Sequence, residues 1–176
     1  MAVRLRRSVG VRDRDPLPAR VLAAHVGVPL LSMQRVPELP GNVEDRLDDC
    51  GCHGVTLYDP DDGAPLHILY NAANSLERQE ADITHELAHI LLKHSPNEVV
   101  RLAGVDLFRD FNEEQEEEAK WLGGCLQITR EGLLWAVGRG MTTVEIAQHY
   151  TASVPMARYR RNVTGVDKQV SRGRRW

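Results

Sequence analysis

Five residues near the middle of the chain, His85-Glu86-Leu87-Ala88-His89, restrict what it can become more than any other stretch. They lie inside a helical pattern that runs from about Leu76 to Lys93, with Ser75 as a candidate N-cap and Ser95-Pro96 closing it. Residues four apart on a helix sit about 40° apart around its axis, so both imidazoles leave from one face and can share a metal ion. Ile83, Leu87, Ile90 and Leu91 form a neighbouring apolar stripe that would bury the helix and hold those ligands rigid. Glu86 stands beside the first histidine, where a carboxylate can take a proton from a polarised water and pass it to a leaving amine. Chance is a weak rival. With seven histidines in 176 residues, the pattern should arise accidentally only about 0.02 times.

A hydrolytic zinc site needs a third protein ligand and an open fourth position. Downstream, Asn112-Glu113-Glu114-Gln115-Glu116-Glu117-Glu118-Ala119 offers five carboxylates on a second strong helix, about Asn112 to Ile128. Most of them must face water. Ala119, Leu122, Gly123 and Leu126 mark that helix's apolar stripe. On a helical wheel Glu116 falls about 70° from the stripe's centre and Glu118 about 90°, on the other side. Glu113 and Glu114 lie further out and Glu117 is opposite. Glu116 leads, with Glu118 close behind.

The rest of the chain places this pair of helices. Val55 to Tyr58 and Leu66 to Tyr70 read as strands joined by the turn-rich Asp59-Pro60-Asp61-Asp62-Gly63. The second strand is expected to line the cleft and pair with a substrate backbone. A short helix spans Leu17 to Val26, and two or three shorter helices follow Thr129. Strands early and helices late predict an α+β domain, mostly helical, with a small mixed or antiparallel sheet packed on the His-Glu helix. The net charge of −3 hides an uneven distribution: residues 1–20 and 156–176 are basic and the stretch between them is acidic. Residues 1–16 are therefore expected to form a mobile basic arm, 17–166 the folded domain, and 167–176 a basic tail. No run approaches the roughly 20 apolar residues of a membrane span, and the basic start lacks an apolar stretch behind it, so a cytoplasmic protein is expected. Three cysteines cannot complete a disulfide framework. Cys50-Gly51-Cys52-His53 has no second Cys/His pair at zinc-finger spacing.

The residues just described resemble the ImmA/IrrE family of metallopeptidases. The likeness is carried by His85-Glu86-Leu87-Ala88-His89, by Ile68-Leu69-Tyr70-Asn71 as the preceding strand and its Asn, and by Glu116-Glu117-Glu118-Ala119-Lys120 with Gly123-Gly124-Cys125-Leu126. It covers about residues 55–163. It implies a zinc-dependent endopeptidase in which His85, His89 and Glu116 bind Zn²⁺ and Glu86 is the catalytic acid/base. It also implies a protein substrate, a helix-turn-helix transcriptional repressor whose cleavage relieves repression. Mn²⁺ and Fe²⁺ suit the same donor set. Lys120 departs from the family's usual Asn or Asp, a residue expected to support a ligand histidine. Thr129 replaces a usual Pro, and Gly123-Gly124 replace small alanines.

Residues 142–163 resemble a helix-turn-helix, with Ser153 as cap, Pro155 in the first turn, and Arg158, Arg160 and Arg161 available for phosphates or base edges. The family commonly carries such a pair as packing beside its ligand helices, and that is the expected role here. The two basic ends suit non-specific contact with nucleic acid. The alternatives to a peptidase are a DNA-binding regulator and a repressor-binding adaptor, each with a non-catalytic metal site. Nothing in the sequence specifies an oligomeric state. His94 follows the ligand helix and either tunes the site or, more commonly for such a position, meets the helix dipole. His149, Tyr150 and Tyr159 are candidates for stabilising an oxyanion, with a core role the more common one.

Overall fold

The computed structural model describes residues 1–35, 54–59, 63–95, 98–102, 105–109 and 112–173, with the backbone alone for 98–102 and 105–109. Cys50, Cys52 and His53 lie outside the described residues. The fold is the expected one, mostly helical α+β. Helix α1 (Ala2–Ser8) and helix α2 (Ala19–Val26) precede strand β1 (Leu30–Ser32) and a 3₁₀ turn at Met33–Arg35. Strands β2 (Gly54–Tyr58) and β3 (Pro65–Tyr70) lead into helix α3 (Leu76–Leu92). A hairpin of β4 (Glu98–Leu102) and β5 (Val105–Arg109) comes before helix α4 (Glu113–Gln127). Four helices follow: α5 (Arg130–Gly138), α6 (Thr143–Tyr150), α7 (Val154–Thr164) and α8 (Val166–Gly173).

The strands form one mixed sheet in the order β1-β3-β2-β5-β4, parallel only between β1 and β3. β3 is therefore an interior strand. Leu30 to Ser32 pair with Ile68 to Tyr70, and β2 occupies the other side. The backbone pairing with substrate expected of this strand is taken over that stretch by the chain itself.

Sequence sets the helix ends. Ser75 accepts the Arg78 amide to start α3, and Asn112 and Gln115 form a capping box at the start of α4. Two apolar clusters make the core. The first packs Leu22 and Ala23 of α2 and Ile68 of β3 against Ile83 and Leu87 of α3 and Ala119, Leu122 and Leu126 of α4. The second joins Ile128, Leu133, Ile146, Tyr150, Ala157 and Val166 among the C-terminal helices. α4 gives Ala119, Leu122 and Leu126 to the first cluster, and Ile128, directly after it, belongs to the second.

Both ends differ from expectation. Residues 1–16 are not a mobile arm in the structure: Ala2–Ser8 is helical and the Arg6 side chain is fully buried. Arg6 Nη1 donates to the Leu126 carbonyl at 2.6 Å, and Nη2 donates to the carbonyls of Arg12 and Asp15. A buried guanidinium that satisfies several carbonyls at once replaces the phosphate contacts its charge suggested. The stretch expected as a tail, 167–176, is helical as far as Gly173 in α8, with Asp167 paired to Arg161 at 2.5 Å.

Candidate metal centre

Three side chains from two helices converge. His85 and His89 lie one turn apart on α3, and their Nε2 atoms approach to 3.1 Å. Glu116, in the first turn of α4, brings Oε2 to 3.2 Å from His85 Nε2 and Oε1 to 3.5 Å from His89 Nε2. Each residue offers one ligand atom to a common point. Ligands at about 2.0–2.1 Å from a tetrahedral metal stand roughly 3.3 Å apart, so these spacings fit a divalent ion. Two imidazoles and a carboxylate are also the chemistry such an ion takes. Two of the three ligands reach solvent, with His85 34% and Glu116 46% exposed in their side chains. His89 is 1% exposed. The group is walled on one side and open on the other.

α4 presents Gly123 to α3, with room there for a methyl group. A Cβ at Gly123 would lie 3.8 Å from the Thr84 carbonyl oxygen and 3.9 Å from His85 Cα. The stripe read from sequence is therefore the contact face. Glu118 turns to the other side of it.

Protonation reflects the crowding. Burial pushes the His89 imidazole down to about 3, helped by the neighbouring His85. At His85 burial also lowers the pKa, but the hydrogen bond with Glu116 and the charges of Glu86, Glu116 and Asp82 outweigh it, and the net shift is upward. The Glu116 carboxylate is held below its usual range, first by that same hydrogen bond. The acidic neighbours thus favour positive charge at His85, where a cation would sit, while His89 stays neutral as a ligand must be.

Glu86 is buried beside the group, with its Oε2 accepting a hydrogen bond from Thr56 Oγ1 at 2.6 Å. Burial raises its pKa, opposed by the charge of His85 and by the Thr56 hydrogen bond. The neighbouring Tyr58 hydroxyl is pushed up to about 12 by burial and by the Glu86 charge. Thr56 is a functional neighbour that sequence reasoning missed. Its signal was faint, a Thr on a strand one residue from the apolar Val55.

Other candidates go elsewhere. His149 Nε2 and Tyr150 Oη bond the Arg14 carbonyl at 2.8 and 3.2 Å, so both secure the N-terminal segment and face away from oxyanion chemistry. In the helix-turn-helix-like pair, α6 and α7, Arg160 is buried with Nε donating to the Ile128 carbonyl, and Arg161 is engaged by Asp167 and Thr143. Arg158 alone of the three named arginines is exposed. Lys120 is exposed and pairs with Glu117 at 3.2 Å, so it supports no ligand histidine. Among the described residues no helix is long and apolar enough to cross a membrane.

A helix-borne His-Glu pair facing a second-helix carboxylate is the arrangement of a metal-dependent hydrolase. The chain belongs to the IrrE N-terminal-like family of M78 peptidases, whose pattern matches residues 53–162, more than half its length. It is a metallopeptidase of the ImmA/IrrE type, with a His85, His89, Glu116 group able to hold a metal. Comparison with curated proteins and with solved structures finds no match.

Proposed function

We propose that this protein is a zinc-dependent endopeptidase in which His85, His89 and Glu116 bind Zn²⁺ and Glu86 is the general base and then the general acid. The observation that carries the reading is the convergence of two Nε2 atoms and a carboxylate at 3.1 to 3.5 Å beside a buried Glu86. When bound, the metal supplies a Lewis acid that makes water nucleophilic near neutral pH and polarises a carbonyl. The protein's own groups do the rest. Glu86, oriented by Thr56, accepts the proton of the attacking water and returns it to the leaving amine. Its raised pKa favours that exchange, because a carboxylate closer to neutral both takes and gives a proton readily. The buried wall at His89 and Leu87 keeps the ligands from relaxing.

The substrate we infer is a helix-turn-helix transcriptional repressor, cut so that repression is relieved in the cytoplasm. That inference rests on the family resemblance. The burial of Arg160 and the pairing of Arg161 with Asp167 favour peptidase over DNA-binding regulator. The test is to co-express the chain with candidate helix-turn-helix repressors and follow cleavage, comparing wild type with Glu86→Gln. Wild type should cut and the variant should keep its metal and lose turnover. Equal cutting by the variant would refute the role of Glu86, and binding without cutting would favour an adaptor.

A further inference from the structure

Helix α3 ends in a way that folds its next residue back over the ligands. Lys93 takes the left-handed conformation at φ 58°, and the His94 amide donates to the His89 carbonyl at 3.1 Å. This six-to-one hydrogen bond is the Schellman closure, which brings the residue after the left-handed cap against the one five positions earlier. Here those residues are both histidines. Their Nδ1 atoms lie 2.9 Å apart and the rings meet edge to face, at 74°.

Tautomers follow from the geometry. His89 Nε2 faces His85 and Glu116, so as a ligand it presents a lone pair there and carries its proton on Nδ1. A proton on His89 Nδ1 needs an acceptor, and His94 Nδ1 is in place to be one. The His94 proton then sits on Nε2, which is 3.0 Å from Glu118 Oε2. The assignments agree with one another, from the ligand outward to a carboxylate. His94 is 5% exposed in its side chain and Glu118 56%, so the chain of bonds runs from the buried ligand to the surface.

We propose that His94, anchored by Glu118, is a positioning residue that fixes the ring orientation and tautomer of the metal ligand His89. The assignment rests on the reading of His85, His89 and Glu116 as metal ligands. It gives this protein the outer support that Lys120, turned to solvent, does not supply. It also gives Glu118, the near rival for third ligand, a partner distinct from that of Glu116. Partners of ligating histidines are typically worth about 10- to 100-fold in metal affinity.

The test is zinc affinity of the full chain, by competition with a chromogenic chelator, for wild type, His94→Phe, His94→Gln and Glu118→Ala. His94→Phe keeps the ring's bulk and loses the acceptor, and should bind zinc about 10- to 100-fold more weakly. His94→Gln can accept from His89 and donate to Glu118, and should recover to within about threefold of wild type. Glu118→Ala, an exposed change that leaves the fold intact, should fall between them. Nitrogen NMR of the zinc-loaded chain should show the His89 Nδ1–H proton hydrogen-bonded and downfield in wild type and shifted upfield in His94→Phe, where its acceptor is gone. Wild-type affinity in both His94→Phe and Glu118→Ala, or an unchanged His89 Nδ1–H resonance in His94→Phe, would overturn the proposal while leaving the metal site standing. A wild type that takes up no zinc would overturn both.

Discussion

Thr56 Oγ1 donates to Glu86 Oε2 at 2.6 Å, across the contact between strand β2 and the ligand helix. The bond holds one carboxylate oxygen and leaves the other for a proton, and it opposes the upward pull of burial on the Glu86 pKa. Thr56→Val should therefore raise that pKa further. Since Glu86 must be ionised to accept a proton, the acidic limb of the activity profile should move to higher pH, with turnover on the repressor reduced roughly tenfold. Zinc content should not change, and Thr56→Ser should retain the wild-type profile.

Arg6 ties the start of the chain to α4 through the Leu126 carbonyl and to its own following loop through Arg12 and Asp15. Arg6→Ala leaves those buried carbonyls without their donor. The expected loss is roughly 2–4 kcal/mol, read as a lowered midpoint in urea unfolding. Arg7→Ala, at an exposed neighbour, should change the midpoint little.

Glu80 is buried and accepts the Ala19 amide at 2.5 Å. Burial raises its pKa, against the hydrogen bond and the charge of Arg20. A carboxyl whose folded pKa exceeds its unfolded value contributes its full stability below the unfolded pKa and loses it as pH rises through the folded one. Glu80→Gln keeps an acceptor for Ala19 and has no charge to bury. The variant and wild type should melt alike near pH 4, with the variant gaining on wild type as pH rises toward 7.

Two glycines separate space from helix propensity. A Cβ at Gly132 would run into the Tyr150 hydroxyl and the Asp13 carbonyl, so Gly132→Ala should cost about 1–3 kcal/mol. At Gly123 the nearest atoms are at ordinary contact distance, and the residue lies inside a helix. Gly123→Ala should be neutral or stabilising by up to about 1 kcal/mol in thermal melts.

What could be read from the residues was what local geometry decides. The i, i+4 spacing of His85 and His89 puts both rings on one face whatever the rest of the chain does, and the α4 stripe names the face that meets them. The wheel put Glu116 and Glu118 at similar offsets on opposite sides of the stripe, and tertiary contact divides them: Glu116 goes to the ligand histidines and Glu118 to His94. The N-terminal arginines looked like solvated charge because the carbonyl that buries Arg6 lies 120 residues away. His149 and Tyr150 failed as oxyanion donors for the same reason, since the Arg14 carbonyl that claims them is remote in sequence. The β4–β5 hairpin was legible and overlooked: Val99-Val100 and Val105 to Phe108 flank Ala103-Gly104, a spacing suited to paired strands.

The central claim is that His85, His89 and Glu116 hold one catalytic metal. Elemental analysis of the purified chain, loaded with Zn²⁺ and dialysed, tests it most directly. Wild type and Glu86→Gln should each retain about one zinc per chain, and His89→Ala should retain almost none. Wild type holding well under one zinc per chain, or His89→Ala holding as much as wild type, would contradict the site.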